Sequence, residues 1–314
     1  MILKKIYKRK LQKYRNQIDQ VLHQVVESKI EDEEILQMVE YALESGRRFR
    51  PLLFILTYKI FDSNVSQEAF QMAAGAELLH KASLIHDDLL DDDQYRRGKV
   101  SFCHKYDEKM AVIIGDLLVS LAFETFIGAT NDPFLTSKWT ALYRKLATGE
   151  TRDLLWEQDW QISEEKVNEM IYGKTASFLE FVMEAGTYLS SEDSNKSRLM
   201  GQFGKEIGFA FQIMNDLNNW RGLEEELGRQ TGGDIKSGKV NPVTLLVYKN
   251  RENFSQRSKL KEYVIEEAKG LAREHINTAR NLFEQLGITN KYTKVVGRIL
   301  DEFDQKWFWV DNDG

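Results

Sequence analysis

Three prolines are all that interrupt this chain: Pro51, Pro133 and Pro242. Proline removes a backbone donor and clashes with the preceding helical turn, so their scarcity leaves long helices free to run. The apolar spacing matches that freedom. Over residues 11–28, Leu11, Tyr14, Ile18, Leu22, Val25 and Val26 fall on one stripe, and residues 33–45 repeat the habit. The segments 66–92, 109–128, 137–156, 164–190, 196–222, 255–286 and 290–308 read as helices too. Alternating strand patterns are scarce. Ser45-Gly46-Arg47, Tyr95 to Phe102, Asn131-Asp132-Pro133, Ser190 to Ser194 and Arg229 to Pro242 read as loops. No internal repeat, low-complexity tract or linker is visible. The expected fold class is all-α, one domain over residues 1–314 built as a large helical bundle around a central cavity.

Composition narrows the function. Hydrophobic residues make up 42% and charged residues 29%, ordinary for a globular chain able to bury a core. A net charge of -6 argues against nucleic-acid binding as the main task. The single Cys103 excludes an internal disulfide framework and suits a reducing cytoplasm. No apolar run approaches the roughly 18 residues of a spanning helix, and no signal peptide is visible. The basic, amphipathic start Met1 to Lys10 reads as an ordinary helix with a solvated cationic face, ahead of a membrane-surface segment.

Chemistry concentrates in Leu84-Ile85-His86-Asp87-Asp88-Leu89-Leu90-Asp91-Asp92-Asp93, which puts five carboxylates into seven residues after an apolar run. On a helix Asp87 and Asp91 share a face, with Asp88 roughly 100° round from Asp87. Such a block repels itself and calls for protons or cations, and Mg²⁺ with oxygen ligands meets the need while keeping positions open for phosphate. The plainer alternative is a solvated acidic helix end. A second segment echoes the spacing: Asn215, Asp216 and Asn219 stand at i, i+1 and i+4 after another apolar helix, so the two suggest facing walls of one metal-diphosphate site. Guanidinium groups cluster beside turns in Gly46-Arg47-Arg48-Phe49-Arg50-Pro51 and Tyr95-Arg96-Arg97-Gly98, suited to gripping phosphate oxygens. Lys174, Arg229, Lys236 and Lys239 add later cations. Taken singly, each of these is a surface cation first.

In these six places, Gly46 to Pro51, His80 to Asp91, Arg96 to Gly98, Gly115-Asp116, Lys174-Thr175 and Phe211-Gln212, the chain resembles the trans-isoprenyl diphosphate synthases, or polyprenyl synthetases. The resemblance runs from about Gly46 to Lys239 and implies the all-α isoprenoid synthase fold and a homodimer. It implies that Asp87 and Asp91 hold Mg²⁺ on an allylic diphosphate with Asp88 in support, and that Arg96, Lys174 and Lys239 neutralise that diphosphate. Arg47, Arg50, His80 and Arg97 would bind isopentenyl diphosphate, with Arg229 a further substrate-binding residue. Gln212, Thr175 and Asp216 would line the reacting centre or a third metal, with Asn215 and Asn219 as the remaining ligands there. A lipid product would bring peripheral membrane contact. Loss of diphosphate from an allylic carbon leaves a carbocation, which the alkene of isopentenyl diphosphate attacks; no side-chain nucleophile is needed, in keeping with the absence of a Ser-His or Cys-His signature. His86 reads as a structural partner of the acidic motif, Asp116 as ordering the same region, Cys103 and His104 as no metal site, and Trp307-Phe308-Trp309 as aromatic closure of the final helix.

Small residues, Ala82 and Ser83, stand five and four positions before Asp87, where the family's short-product enzymes carry bulky aromatics, so a C20 or longer product is expected. The chain departs from the family at Asn215 and Asn219, where aspartates are usual, at Arg229 for lysine and at Glu150 for glutamine. Neutral ligands weaken the third metal site. These departures admit three rivals: a class I terpene synthase, for which the acidic residue at Glu224 falls one position late; a partner subunit with an impaired second motif; and a prenyltransferase with a peptide or other small acceptor.

Overall fold

The computed structural model describes residues 2–44, 46–221, 234 and 237–305, with side chains described between residues 11 and 301. In chain order the helices are α1 (Ile2–Lys29), α2 (Glu33–Glu44), α3 (Phe49–Phe61) and α4 (Gln67–Leu90), then a hairpin of β1 (Tyr95–Arg96) and β2 (Lys99–Val100). Next come α5 (Phe102–Lys105), α6 (Glu108–Gly128), α7 (Pro133–Leu155), α8 (Glu164–Ile171), a π-helical turn (Tyr172–Ala176) and α9 (Ser177–Ser191). The chain continues through α10 (Ser194–Arg221), α11 (Pro242–Asn250), α12 (Arg257–Gln285) and α13 (Lys291–Gln305). Among the described residues the hairpin is the only sheet, so the all-α expectation holds.

The chain groups into two compact units. The first takes in the chain up to Trp139 with Ala185–Ser197 and Asn290–Val295; the second takes in Thr140–Glu184, Arg198–Thr289 and the chain from Val296 on.

In the first unit α4 lies along α6. Small residues allow it: a side chain on Gly75 would meet the Ala122 carbonyl oxygen and the Phe126 backbone nitrogen, both at 3.1 Å. α6 buries Ala111, Ile114, Gly115, Leu118, Leu121, Ala122 and Phe126. Its 18-residue window of mean hydropathy 2.0 makes it long and apolar enough to cross a membrane by composition, correcting the expectation that no run reaches that length. Asp116, Ser120 and Glu124 interrupt the run to the eye, yet the average over the window stays high. In the second unit Ile162, Val167, Met170, Ile171, Ala176, Phe209, Val240 and Leu245 form a core flanked by Trp156, Trp160 and Tyr172.

Three helices were not legible by periodicity, the four-residue α5 being too short to show any. α3 is buried continuously from Leu53 to Ile60, and a helix apolar all round shows no stripe. α11 is short; Asn241 caps it by accepting from Val243 and Thr244 backbone N–H groups, with Pro242 in the first turn and Thr244 closing a capping box. The expected helix 164–190 is broken by the π turn, and the expected loop after Tyr95 contains the hairpin.

Candidate active site

The acidic end of α4 closes as its spacing predicts. The Asp91 backbone N–H donates to the Asp87 carbonyl at 2.9 Å, Asp92 is left-handed at φ 52°, and the Asp93 N–H reaches back to the Asp88 carbonyl at 2.9 Å. This six-residue loop is the Schellman pattern. It sets Asp87 and Asp91 one turn apart on one face. Carboxylates here oppose the negative end of the helix dipole, so the block needs positive charge.

Arg96 supplies part of it. Its Nε and Nη2 both bond Asp88, and Nη2 reaches Asp93 at 3.0 Å. Burial pushes the Asp88 carboxyl up to about 6, against the pull of Arg96. Arg96 thus holds the inner carboxylate of the motif in this structure, whereas the resemblance gives it to the substrate diphosphate. The hairpin aims it: Arg97 (φ 53°) and Gly98 (φ 74°) make the tight connection, and Arg96 pairs with Lys99. His86 is lodged on α6, where a side chain on Gly115 would fall 2.1 Å from its Nε2, and Asp116 lies 3.8 Å from the same nitrogen. That is the structural role expected of it.

The arginine turn before α3 divides its labour. Arg48, left-handed at φ 55°, bonds Asp19 through Nε at 2.6 Å, Glu77 through Nη1 at 3.1 Å and the Leu43 carbonyl through Nη2 at 2.6 Å. It is structural. Arg50 instead donates from Nη1 to His80 Nε2 at 2.9 Å. An arginine only donates, so His80 accepts there and is neutral; burial, then Arg50, holds it well below the usual histidine range. Burial also lowers Arg50 to about 10. Ala82 is buried, and Ser83 Oγ donates to the His80 carbonyl at 2.9 Å.

In the second unit α7 and the π turn touch backbone to backbone. A side chain on Gly149 would lie 2.3 Å from the Lys174 nitrogen, and one on Gly173 would lie 2.8 Å from the Gly149 Cα. One turn beyond that crossing, Lys174 Nζ donates to Asp153 at 2.7 Å and to Glu150 at 3.1 Å. Lys239 Nζ reaches the same Asp153 oxygen at 3.4 Å. Burial raises the Asp153 carboxyl, but the two lysines outweigh it and hold it below the usual range. Lys239 is fixed by backbone bonds, its own N–H to the Asp234 carbonyl and the Gln158 N–H to the Gly238 carbonyl, both 2.8 Å. A π turn spares one residue from the α register, a device common at functional sites. Thr175, next in that turn, donates to Gln212 Oε1 at 2.8 Å, and Gln212 Nε2 donates to Asp216 Oδ1 at 2.7 Å.

Asp216 Oδ2 and Asn219 Oδ1, one turn apart on α10, are buried with no hydrogen-bond partner among the described residues. Burial, then Asp234, raises the Asp216 carboxyl well above its ordinary value. Buried oxygens of this kind need a partner, and an all-oxygen donor set suits a hard divalent cation. Among the described residues no three His, Cys, Asp or Glu side chains surround one point, so substrate and water oxygens must complete any coordination sphere. The described residues would suit a hard divalent cation that keeps positions open for other oxygens, and among them no all-protein metal cage is formed.

A profile of the polyprenyl synthetase family matches residues 32–282. The chain belongs to the polyprenyl synthetase family. It is 31% identical over 283 residues to a short chain isoprenyl diphosphate synthase of Methanothermobacter thermautotrophicus, 89% of this chain and 85% of that protein. It is also 31% identical over 248 residues to a geranylgeranyl diphosphate synthase of Sulfolobus acidocaldarius, 76% of this chain and 74% of that one. A crystal structure of a polyprenyl synthase from Caulobacter crescentus, complexed with calcium and isoprenyl diphosphate, shares the fold with a TM-score of 0.85 at 24% identity, over 95% of this chain and 96% of that one. The polyprenyl synthetases are prenyltransferases, and this chain is one of them.

The expected site residues thus assemble in sets: Asp87, Asp88, Asp91 and Arg96 with Arg50, His80 and Arg97 in the first unit, and Lys174, Thr175, Gln212, Asp216 and Lys239 in the second. Arg47 lies half-buried in the turn, and Asn215 is half-buried beside Asp216. Arg229, Lys236, Glu224 and Trp307 to Trp309 lie outside the described residues. Sequence reasoning passed over Asp153, although it stands one turn from Glu150, and over Lys81 and Glu77, buried one turn apart on α4.

Proposed function

We propose that this prenyltransferase joins an allylic diphosphate to isopentenyl diphosphate, giving a polyprenyl diphosphate of C20 or longer. One observation carries the reading: a single helix, α4, bears an outward carboxylate pair, Asp87 and Asp91, and two to three turns earlier a buried neutral His80 paired with Arg50. The first suits a metal-bridged diphosphate and the second a diphosphate bound by cations alone. A cyclising terpene synthase has one diphosphate to hold; elongation has two.

Asp87 and Asp91 in the first unit would hold Mg²⁺, which supplies charge to neutralise a departing diphosphate, and Asp216 with Asn215 and Asn219 in the second unit offers a further set of oxygens for such an ion. Lys174 and Lys239 offer fixed positive charge to a diphosphate once their bonds to Asp153 yield. As the allylic C–O bond breaks, its electron pair leaves with the diphosphate and a carbocation remains. The alkene of isopentenyl diphosphate, gripped through Arg47, Arg50 and Arg97, supplies the electrons of the new C–C bond. The resulting cation loses a proton to the released diphosphate, which restores the alkene. Thr175 and Gln212 hold the Asp216 carboxylate in place throughout.

Two finer points belong to the same reading. Ala82 and Ser83 leave the turn before Asp87 narrow-shouldered, which supports long products. Ala82→Tyr is expected to shift the product distribution shorter by at least one isoprene unit; an unchanged distribution on chromatography removes this account of chain length. α6 leaves Val112 and Ile113 exposed, at 43% and 61%, and that apolar face supports a homodimer. We take the enzyme to be cytoplasmic, with membrane contact only through its lipid product.

The test is product analysis with isopentenyl diphosphate, Mg²⁺ and a panel of allylic primers. Chain growth supports the reading; cyclised hydrocarbon, transfer to another acceptor, or a need for a second subunit each replaces it. Asn215→Asp in the same assay restores a charged ligand and is expected to lower the Mg²⁺ concentration for half-maximal rate by about tenfold, the scale of a single ligand-shell change. An unaltered Mg²⁺ dependence overturns the account of a charge-poor third site.

A further inference from the structure

Lys81 follows His80 on α4 and is 2% exposed. Its Nζ lies 3.4 Å from the point where a side chain on Gly46 would begin, with Arg97 Nη1 at 2.7 Å and Arg48 Nη1 at 3.2 Å from that point. With Arg15 of α1 donating to the Gly46 carbonyl at 2.9 Å, four cationic groups converge on one glycine, itself at φ +119°, where a side chain would be strained as well as obstructed. The carboxylates facing this cluster are Glu77 on α4 and Asp19 on α1, and both bond Arg48. Arg50 adds a further, half-buried cation beside His80, while Arg96 is held by Asp88 and Asp93. Lys81 and Arg48 are buried, Gly46 is half-buried and Arg97 is exposed, so the cationic cluster is open to solvent on the hairpin side.

We propose that Lys81 takes up a proton as a diphosphate enters the site formed by Arg50, His80 and Arg97, so that affinity for the second substrate depends on pH near neutrality. The inference rests on the reading of that site as the isopentenyl diphosphate site. Burial, with Arg48 and Arg97 acting against Glu77 and Asp19, brings the Lys81 amine down to about 7. An arriving diphosphate reverses that balance, because opposite charge close by favours the ammonium form. His80 does not compete for the proton: its Nε2 is occupied by Arg50 and the cations around it disfavour a further charge.

Calorimetric titration with isopentenyl diphosphate alone, which is not consumed without an allylic primer, tests this. In two buffers of different ionisation enthalpy at pH 7.5, the protein is expected to take up close to one proton more than Lys81→Arg, whose guanidinium stays charged throughout. From pH 7 to 9 the Kd of the unaltered protein should weaken by up to about tenfold per pH unit relative to Lys81→Arg, the slope of one linked proton. Lys81→Met is expected to lose the uptake and to bind more weakly than Lys81→Arg at pH 7. Equal uptake and equal slope in the unaltered protein and Lys81→Arg overturn the role of Lys81 alone. Absence of isopentenyl diphosphate binding at every pH in the unaltered protein overturns the site reading as well.

Discussion

Asp91→Asn is expected to lower kcat by on the order of 10²–10³-fold, comparable to deleting one preorganised electrostatic group, while leaving the metal-free melting temperature unchanged or higher. The two effects have one cause. Asp91 caps α4 at its carbonyl end, beside Asp87, Asp88, Asp92 and Asp93, where each negative charge opposes the dipole and its neighbours. An amide keeps the shape and the backbone bond to Asp87 but removes that repulsion. On the proposed reading the carboxylate serves turnover at a cost to the resting fold. Thermal unfolding in chelator, set beside turnover in Mg²⁺, checks both halves. A variant that melts markedly lower, or turns over normally, shows Asp91 to be an ordinary helix end.

Asp153→Asn should act the other way round. Asp153, Lys174 and Lys239 have side chains at most 21% exposed, and removing one partner from a buried ionic group costs roughly 3–5 kcal/mol. Lys174 keeps Glu150, which points to the lower end of that range. The free lysine charge then becomes available to an anion, so inorganic diphosphate is expected to raise the melting temperature of the variant by more than it raises that of the unaltered protein. A melting temperature within a degree of normal, or an equal diphosphate shift, would mean that the two lysines do not depend on Asp153.

What could be read in advance follows from the kind of information each feature uses. The acidic end of α4 was legible because a spacing of four residues on a helix is a statement about direction, and the Asp91-to-Asp87 backbone bond shows that direction kept. The arginine turn was legible as a cluster, but not the division by which Arg48 bonds Asp19 and Glu77 while Arg50 meets His80. Helix α3 was not legible, since burial on every side erases the stripe that betrays a surface helix. The π turn was hidden for a different reason: Tyr172-Gly173-Lys174-Thr175 sits inside a helical pattern, and the close approach of Gly149 to Gly173 there is a tertiary contact that local sequence does not carry. Asp153 depends on that same contact, which brings α7 over Lys174. Lys81 looked like any exposed lysine, because nothing local tells that Asp19, sixty-two positions earlier in the chain, closes over its neighbour Arg48.

The family match begins at residue 32, yet α1 ends at Lys29 and its side chains hold the arginine turn before α3. Arg15 donates to the Gly46 carbonyl at 2.9 Å, and Asp19 anchors Arg48. The opening helix is thus a brace for a loop that the family boundary leaves standing alone. A chain trimmed to the shared segment would keep Arg47, Arg48 and Arg50 and lose the helix that holds their turn in place.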